Sequence, residues 1–97
     1  MSDTKPDTSV TDNTEQHRFE ITAGGDLAGY AEYVPRDGGI EFTHTVVDDA
    51  FEGQGIGGTL VKAALDQARE RGLTVTPTCA FVRSYIERHP DYADLVG

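Results

Sequence analysis

Glu52-Gly53-Gln54-Gly55-Ile56-Gly57-Gly58-Thr59-Leu60-Val61 is the stretch on which the reading of this chain turns. Gly53, Gly55, Gly57 and Gly58 fall within six positions, directly before a run of helix formers. Glycine loses the most backbone entropy on folding, so this density needs a reason, such as positive φ or close approach of the backbone to a ligand. Downstream, Leu60, Val61, Ala64, Leu65 and Ala68 recur at helical spacing. They predict a helix from Gly57 to Arg71, with Gly72 as its stop and Arg69 and Arg71 in its last turn. Upstream, Ile40 to Val47 alternates with the period of a strand. Strict alternation assigns Ile40, Phe42, His44 and Val46 to one face and Glu41, Thr43, Thr45 and Val47 to the other. The glycine turn thus joins a strand to a helix. The first amides of a helix lack internal partners, and its dipole favours negative charge there. The local chemistry is anion binding, and a pyrophosphate is the natural guest for Gln54, Gly55, Ile56, Gly57 and Gly58.

Two familiar phosphate motifs fail. Gly53, Gly55 and Gly58 satisfy G-x-G-x-x-G, but a dinucleotide fold needs that pattern to open a doubly wound sheet, with an acid about 20 residues on. Here a run of strands comes first, and Thr74 to Thr78 contain no acid. A phosphate-loop NTPase needs Lys before the Ser/Thr, and Gly58 precedes Thr59. The plain alternative is a tight turn with no ligand.

Working outward, Phe19 and Ile21 alternate with polar residues, Gly24-Gly25-Asp26 signals a turn, and Leu27 to Val34 suits a second strand. Asp37-Gly38 marks a second turn, leading into Ile40 to Val47. These three strands predict an antiparallel meander. Beyond the helix, Leu73 to Val75 begins a fourth strand that Pro77 ends or confines to an edge. A strand, helix and strand in succession pair the third and fourth strands in parallel. Ala80 to Arg88 predicts a short helix with Phe81, Val82, Tyr85 and Ile86 facing inward, stopped by Pro90, and Asp91 to Val96 adds a further turn. The fold class is therefore α/β of the α+β type, in one domain over residues 16–97. Residues 1–15 are polar and acidic, bury little, and are expected to form a disordered tail.

The chain of 97 residues carries a net charge of −9, which argues against a binder of nucleic acid and permits a cationic acceptor. No apolar run approaches the ~18 residues that span a bilayer, and no secretory signal opens the chain, so no membrane partner is expected. The lone Cys79 forms no internal disulfide, which favours a reducing, cytoplasmic setting. His17, His44, Cys79 and His89 lack close ligand spacing, so no metal site is expected. The chain is expected to be a monomer or a weak dimer.

The segment from Thr45 to Ala64 resembles motif A of the GNAT superfamily of N-acetyltransferases, Q/R-x-x-G-x-G/A between a strand and a helix, read here as Glu52-Gly53-Gln54-Gly55-Ile56-Gly57. The chain is similar more specifically to small, truncated GNAT-like acetyltransferases. They share the pair His44-Thr45, the segment Pro77-Thr78-Cys79, and the run Tyr85-Ile86-Glu87-Arg88-His89-Pro90. The likeness covers His17 to the C-terminus. It implies acetyl-CoA as cosubstrate, with its pyrophosphate on the glycine turn and its pantetheine arm between splayed strands three and four, beside Thr45, Val46 and Val47. It implies acetyl transfer to a primary amine, a small molecule or a protein lysine. Cys79 and His44 are the catalytic candidates. In one route Cys79 forms an acetyl-enzyme with His44 as its base. In the other an amine attacks directly with His44 as general base, and Cys79 only lines the site. Two departures bear on this. Glu52 stands where Arg or Gln is usual, so its carboxylate is expected to face solvent. The flanking elements that complete an acceptor pocket in most such enzymes are also missing. These departures favour the alternative, a CoA-binding or protein-interaction module without turnover.

Overall fold

Phe19, Ile21 and Ala23 are buried while Arg18, Glu20 and Thr22 are partly exposed, so the period-two pattern of the sequence becomes β2 (Arg18–Ala23) with one face inward. The computed structural model describes residues 7–97. β2 pairs with β3 (Asp26–Arg36), and β3 with β4 (Gly39–Val47), both antiparallel. β5 (Thr74–Pro77) adds to β4 in parallel. The expected meander and crossover are present, and the sheet has the order β1-β2-β3-β4-β5.

The first strand of that order was not expected. β1 (Thr8–Asn13) pairs antiparallel with β2 along its whole length, from Thr8 opposite Ala23 to Asn13 opposite Arg18. The reading of residues 1–15 as a tail is therefore corrected for this segment, and residues 1–6 lie outside the described residues. The physical reason is that β1 is an edge strand held by backbone bonds and by two side chains. Val10 packs against the core. Asp12 accepts a hydrogen bond from the Tyr33 hydroxyl at 2.6 Å and one from Arg71 at 2.8 Å. Composition alone cannot register partners so distant in sequence.

α1 (Ile56–Glu70) buries the predicted stripe: Leu60, Val61, Ala64, Leu65 and Ala68 are each at most 2% exposed. It ends as the sequence predicts. Gly72 takes φ 68°, and the Leu73 amide reaches back to the Ala68 carbonyl at 2.9 Å, a closure that a side chain at Gly72 would strain. α2 (Ala80–Arg88) lies beside α1 and buries Val82, Tyr85 and Ile86, followed by a 3₁₀ segment over Pro90–Leu95. Phe81, expected inward, is 38% exposed and rests over Gly57 instead. The buried residues form one cluster between the helices and one face of the sheet.

A bulge in β4 controls which residues face that cluster. Tyr33 opposes Phe42 and Glu32 opposes His44, so Thr43 is an extra residue in β4. Inward parity is shifted by one beyond it. Thr45 opposes the buried Ala31 and shares the core side with Phe42. His44 and Val46 oppose Glu32 and Tyr30 on the other, uncovered face. That face also carries Arg18 and Glu20, paired at 2.7 Å, with Arg18 stacked over Tyr30 at 4.4 Å.

Candidate functional site

The turn before α1 is built for backbone exposure. Gly53 and Gly55 take φ of 82° and 73°, where a side chain is strained. Gly55 is the N-cap residue of α1, and no side chain caps the helix. The first amide to bond within the helix is that of Thr59, donating to the Gly55 carbonyl at 3.0 Å. The amides of Ile56, Gly57 and Gly58 therefore stand without an intrahelical partner at the positive end of the dipole. Gly57 has a different reason to be glycine: a Cβ there would sit 2.6 Å from the Phe81 ring. Glu52 is exposed and closes the short 3₁₀ turn at Asp49–Phe51, its amide donating to the Asp49 carbonyl. Its carboxylate faces solvent as expected.

This turn opens onto a groove of about 450 Å³ between α1 and α2. Gly55, Gly58 and Thr59 form one wall, with Lys62 a turn further along α1. Phe81, Tyr85, Arg88 and His89 form the other. His89 stacks on Tyr85 with ring centroids 4.0 Å apart, and its Nδ1 lies 2.9 Å from the Tyr85 carbonyl oxygen. Lys62 is held at 3.0 Å by Asp66. Two aromatic rings, Phe81 and Tyr85, line the groove together with Lys62, Arg88 and His89, within a chain of net charge −9.

The second feature is the gap between β4 and β5. Their parallel pairing runs only from Gly39 opposite Thr74 to Phe42 opposite Pro77. Pro77 ends the ladder, and the chain turns into α2, the Cys79 amide donating to the Phe42 carbonyl at 2.9 Å. Beyond Phe42, β4 has no strand beside it on that edge among the described residues. Cys79 sits at the N-cap position of α2 without a formed capping bond. Its sulfur lies 3.4 Å from the Thr45 hydroxyl. Burial pushes the thiol up. The Thr45 hydroxyl and the approaching amides of Val82, Phe81 and Thr45 outweigh that and hold it below the ordinary cysteine value.

The structure brings together Thr45, Cys79 and the edge of β4 near Val47, and it separates His44 and Val46 from them. His44 is 73% exposed on the uncovered face, its Nδ1 3.5 Å from Glu32. The expectation that His44 serves as the base for Cys79 is corrected: the bulge at Thr43 turns its side chain to the opposite side of the sheet. Val46 likewise turns outward, 42% exposed, so its side chain does not line the gap. Sequence reasoning missed Lys62 and Arg88, and it gave His89 no binding role. The signal was thin, since the three residues come from two helices and meet only through packing. Among the described residues, no group of three His, Cys, Asp or Glu side chains is placed to hold a metal ion, and no helix is long and apolar enough to cross a membrane.

The strand-turn-helix with open amides and the strand edge left free beyond Phe42 belong to a fold that also occurs in known proteins. The solution structure of a GCN5-like protein from Staphylococcus aureus superposes with a TM-score of 0.70 at 27% identity, covering 92% of this chain and 87% of that one. The ribosomal-protein-S18-alanine N-acetyltransferase of Escherichia coli shares the fold with a TM-score of 0.64 at 20% identity, over 80% of this chain and 54% of that one. Among curated proteins, Protein NATD1 of Xenopus tropicalis is 39% identical over 51 residues, 53% of this chain and 47% of that protein. Human Protein NATD1 is 39% identical over the same length, 45% of its own. The matched stretch thus spans about half the length of these relatives. Residues 18–95, from the start of β2 through the 3₁₀ segment that closes the core, match the family described as GCN5-related N-acetyl-transferase, and the chain belongs to that family.

Proposed function

We propose that the protein transfers an acetyl group from acetyl-CoA to a primary amine. The observation that carries this is the uncapped α1 N-terminus, whose open amides at Ile56, Gly57 and Gly58 fit a pyrophosphate, with the Cys79 sulfur 3.4 Å from the Thr45 hydroxyl at the gap between β4 and β5. The residues present suit acetyl-CoA. The amides of Ile56, Gly57 and Gly58 would hold the pyrophosphate, and the free edge of β4 near Thr45 and Val47 would lie along the pantetheine arm. Acetyl-CoA supplies the acetyl group as a thioester. The net acidity suits a cationic acceptor, a small amine or a protein lysine.

Cys79 is the proposed nucleophile. The Thr45 hydroxyl and the nearby amides favour its thiolate form, which bears on a site that the His44 side chain does not enter. The Cys79 thiolate attacks the acyl carbon, the new C–S bond forms as the bond to the CoA sulfur breaks, and the CoA thiolate leaves. A neutral amine then takes the acetyl group from Cys79, losing a proton as the thiolate is restored. His44 and Glu32 together stand as a proposed base only for an amine approaching over the uncovered sheet face.

Intact-protein mass spectrometry after brief exposure to acetyl-CoA tests this. The reading expects one acetyl adduct, mapped to Cys79, absent from Cys79→Ala and discharged by added amine. Full turnover by Cys79→Ala would leave direct attack as the route. Tight CoA binding with no acyl chemistry over a broad amine panel would establish a binding module, the reading that the unusual Glu52 favours.

A further inference from the structure

The groove has more positive charge than a pyrophosphate on backbone amides requires. Among the described residues every arginine but one has a partner. Arg18 pairs with Glu20, Arg36 with Glu41, Arg69 with Asp94 and Arg71 with Asp12. Arg83 approaches the Pro77 and Thr78 carbonyls at 3.4 Å. Arg88 alone makes neither an ion pair nor a side-chain hydrogen bond there, and it lines the groove. In a chain with 17 acidic residues, a guanidinium without a carboxylate is one the fold has left available.

Its neighbours are arranged around the same space. Lys62 follows Gly58 by four residues on α1, about 6 Å along the axis on the same face. Asp66 holds it at 3.0 Å and is itself occupied by the Tyr92 hydroxyl at 2.6 Å, so Lys62 is fixed in place with one of its donors engaged. His89 is fixed by its stack on Tyr85 and by the contact of Nδ1 with the Tyr85 carbonyl, which leaves Nε2 without a partner among the described residues. Lys62 and Arg88 thus bring two cationic donors into the groove, at least one turn beyond Gly58, with the His89 ring beside them.

We infer that the Lys62, Arg88 and His89 lining of the groove is a phosphomonoester site that reads the 3′-phosphate on the ribose of the CoA donor, and that it makes the protein discriminate CoA from dephospho-CoA. The inference rests on the acetyl-CoA reading and deepens it. The chemistry separates two anions along one groove. The pyrophosphate is diffuse and bridging, and it suits the amide array at Ile56 to Gly58. A terminal phosphomonoester carries up to two charges on three oxygens and suits a guanidinium fork with an ammonium beside it. Glu52 supplies no cation beside the turn, so the positive charge for the donor comes from Lys62 and Arg88.

The test is calorimetric titration of CoA and of 3′-dephospho-CoA into the parent protein, Arg88→Gln and Lys62→Gln, with melting curves to verify folding. The parent is expected to bind CoA about tenfold or more tightly than dephospho-CoA, one such factor being the worth of one good charge-assisted contact. Arg88→Gln is expected to weaken CoA about tenfold while leaving dephospho-CoA unchanged, and Lys62→Gln to show the same selectivity to a smaller degree. Arg88 is exposed at the end of α2 and Lys62 is exposed on α1, so either substitution keeps the core intact. Equal affinity of the parent for both compounds overturns this inference alone, as does an equal loss for both in Arg88→Gln. Binding of neither compound overturns it together with the acetyl-CoA reading.

Discussion

Asp12→Ala should behave as a core mutation, although Asp12 lies on a polar strand at the very edge of the sheet. Its side chain is 7% exposed. It accepts from the Tyr33 hydroxyl at 2.6 Å and from Arg71 at 2.8 Å, joining β1 to the sheet and to the end of α1. A hydrogen bond to a charged group contributes about 1.5–3 kcal/mol. The Arg71 side chain is 45% exposed, so solvent screening reduces its share to below about 1 kcal/mol. Together these give a loss of about 2–3 kcal/mol. A domain of this size shifts its melting point by about 4–8 °C per kcal/mol, so Asp12→Ala should melt some 10–20 °C lower. Asp7→Ala is the control, because Asp7 is exposed and should stay within about 0.5 kcal/mol. Thermal and urea melts followed by far-UV circular dichroism measure both. If the two variants melt within about 2 °C of each other, β1 is not fastened as described and contributes nothing to the fold.

Two further predictions use the same side chains and the candidate site. Burial, with the Asp12 bond and charge behind it, pushes the Tyr33 hydroxyl up to about 12 from its ordinary value of 10.0. The folded state therefore favours the protonated phenol. This contribution is complete below about pH 10 and is lost as pH rises toward 12, at up to about 1.4 kcal/mol per unit. Tyr85, raised by burial, and Tyr92, raised by its bond to Asp66, act in the same direction, so urea midpoints of Tyr33→Phe should show a shallower alkaline decline rather than none. At Cys79, Thr45→Val removes the hydroxyl 3.4 Å from the sulfur and leaves the volume in place. The thiol should rise, and alkylation by iodoacetamide at pH 7 should slow by about twofold to tenfold, with Thr45→Ser restoring the rate. An unchanged rate would mean the hydroxyl does not bear on the thiol.

Much of the architecture was legible because local chemistry and tertiary packing agree. The apolar stripe from Leu60 to Ala68, the stop at Gly72 and the end of the ladder at Pro77 each act within a few residues, and each is where the pattern puts it. The glycine turn was legible for the same reason, since φ and open amides are local properties. β1 was not, because Thr, Ser and Asp give no hydrophobic signal, and its fastening depends on Tyr33 and Arg71, 21 and 59 residues away. The faces of β4 beyond Phe42 were not legible either. A bulge at Thr43 leaves no glycine or proline as a mark, yet a single extra residue exchanges His44 and Val46 with Thr45 and Val47 between the two faces. The cationic lining of the groove depends on how α1 and α2 pack, so Lys62, Arg88 and His89 could not be grouped from spacing.

The most direct test of the central claim, that the amides opening α1 hold the pyrophosphate of acetyl-CoA, is calorimetric titration of acetyl-CoA into the parent protein and into Gly58→Asp. Gly58 suits this better than Gly55, because its added Cβ meets only Tyr85, at an ordinary 3.8 Å, whereas Gly55 takes φ 73°. The substitution thus sets a carboxylate at the anion site with the fold kept. Saturable one-site binding in the parent, weakened at least about tenfold in Gly58→Asp at an unchanged melting point, is the result expected. No binding in the parent, or the same affinity in both proteins, would contradict it and leave the glycine turn as a turn alone.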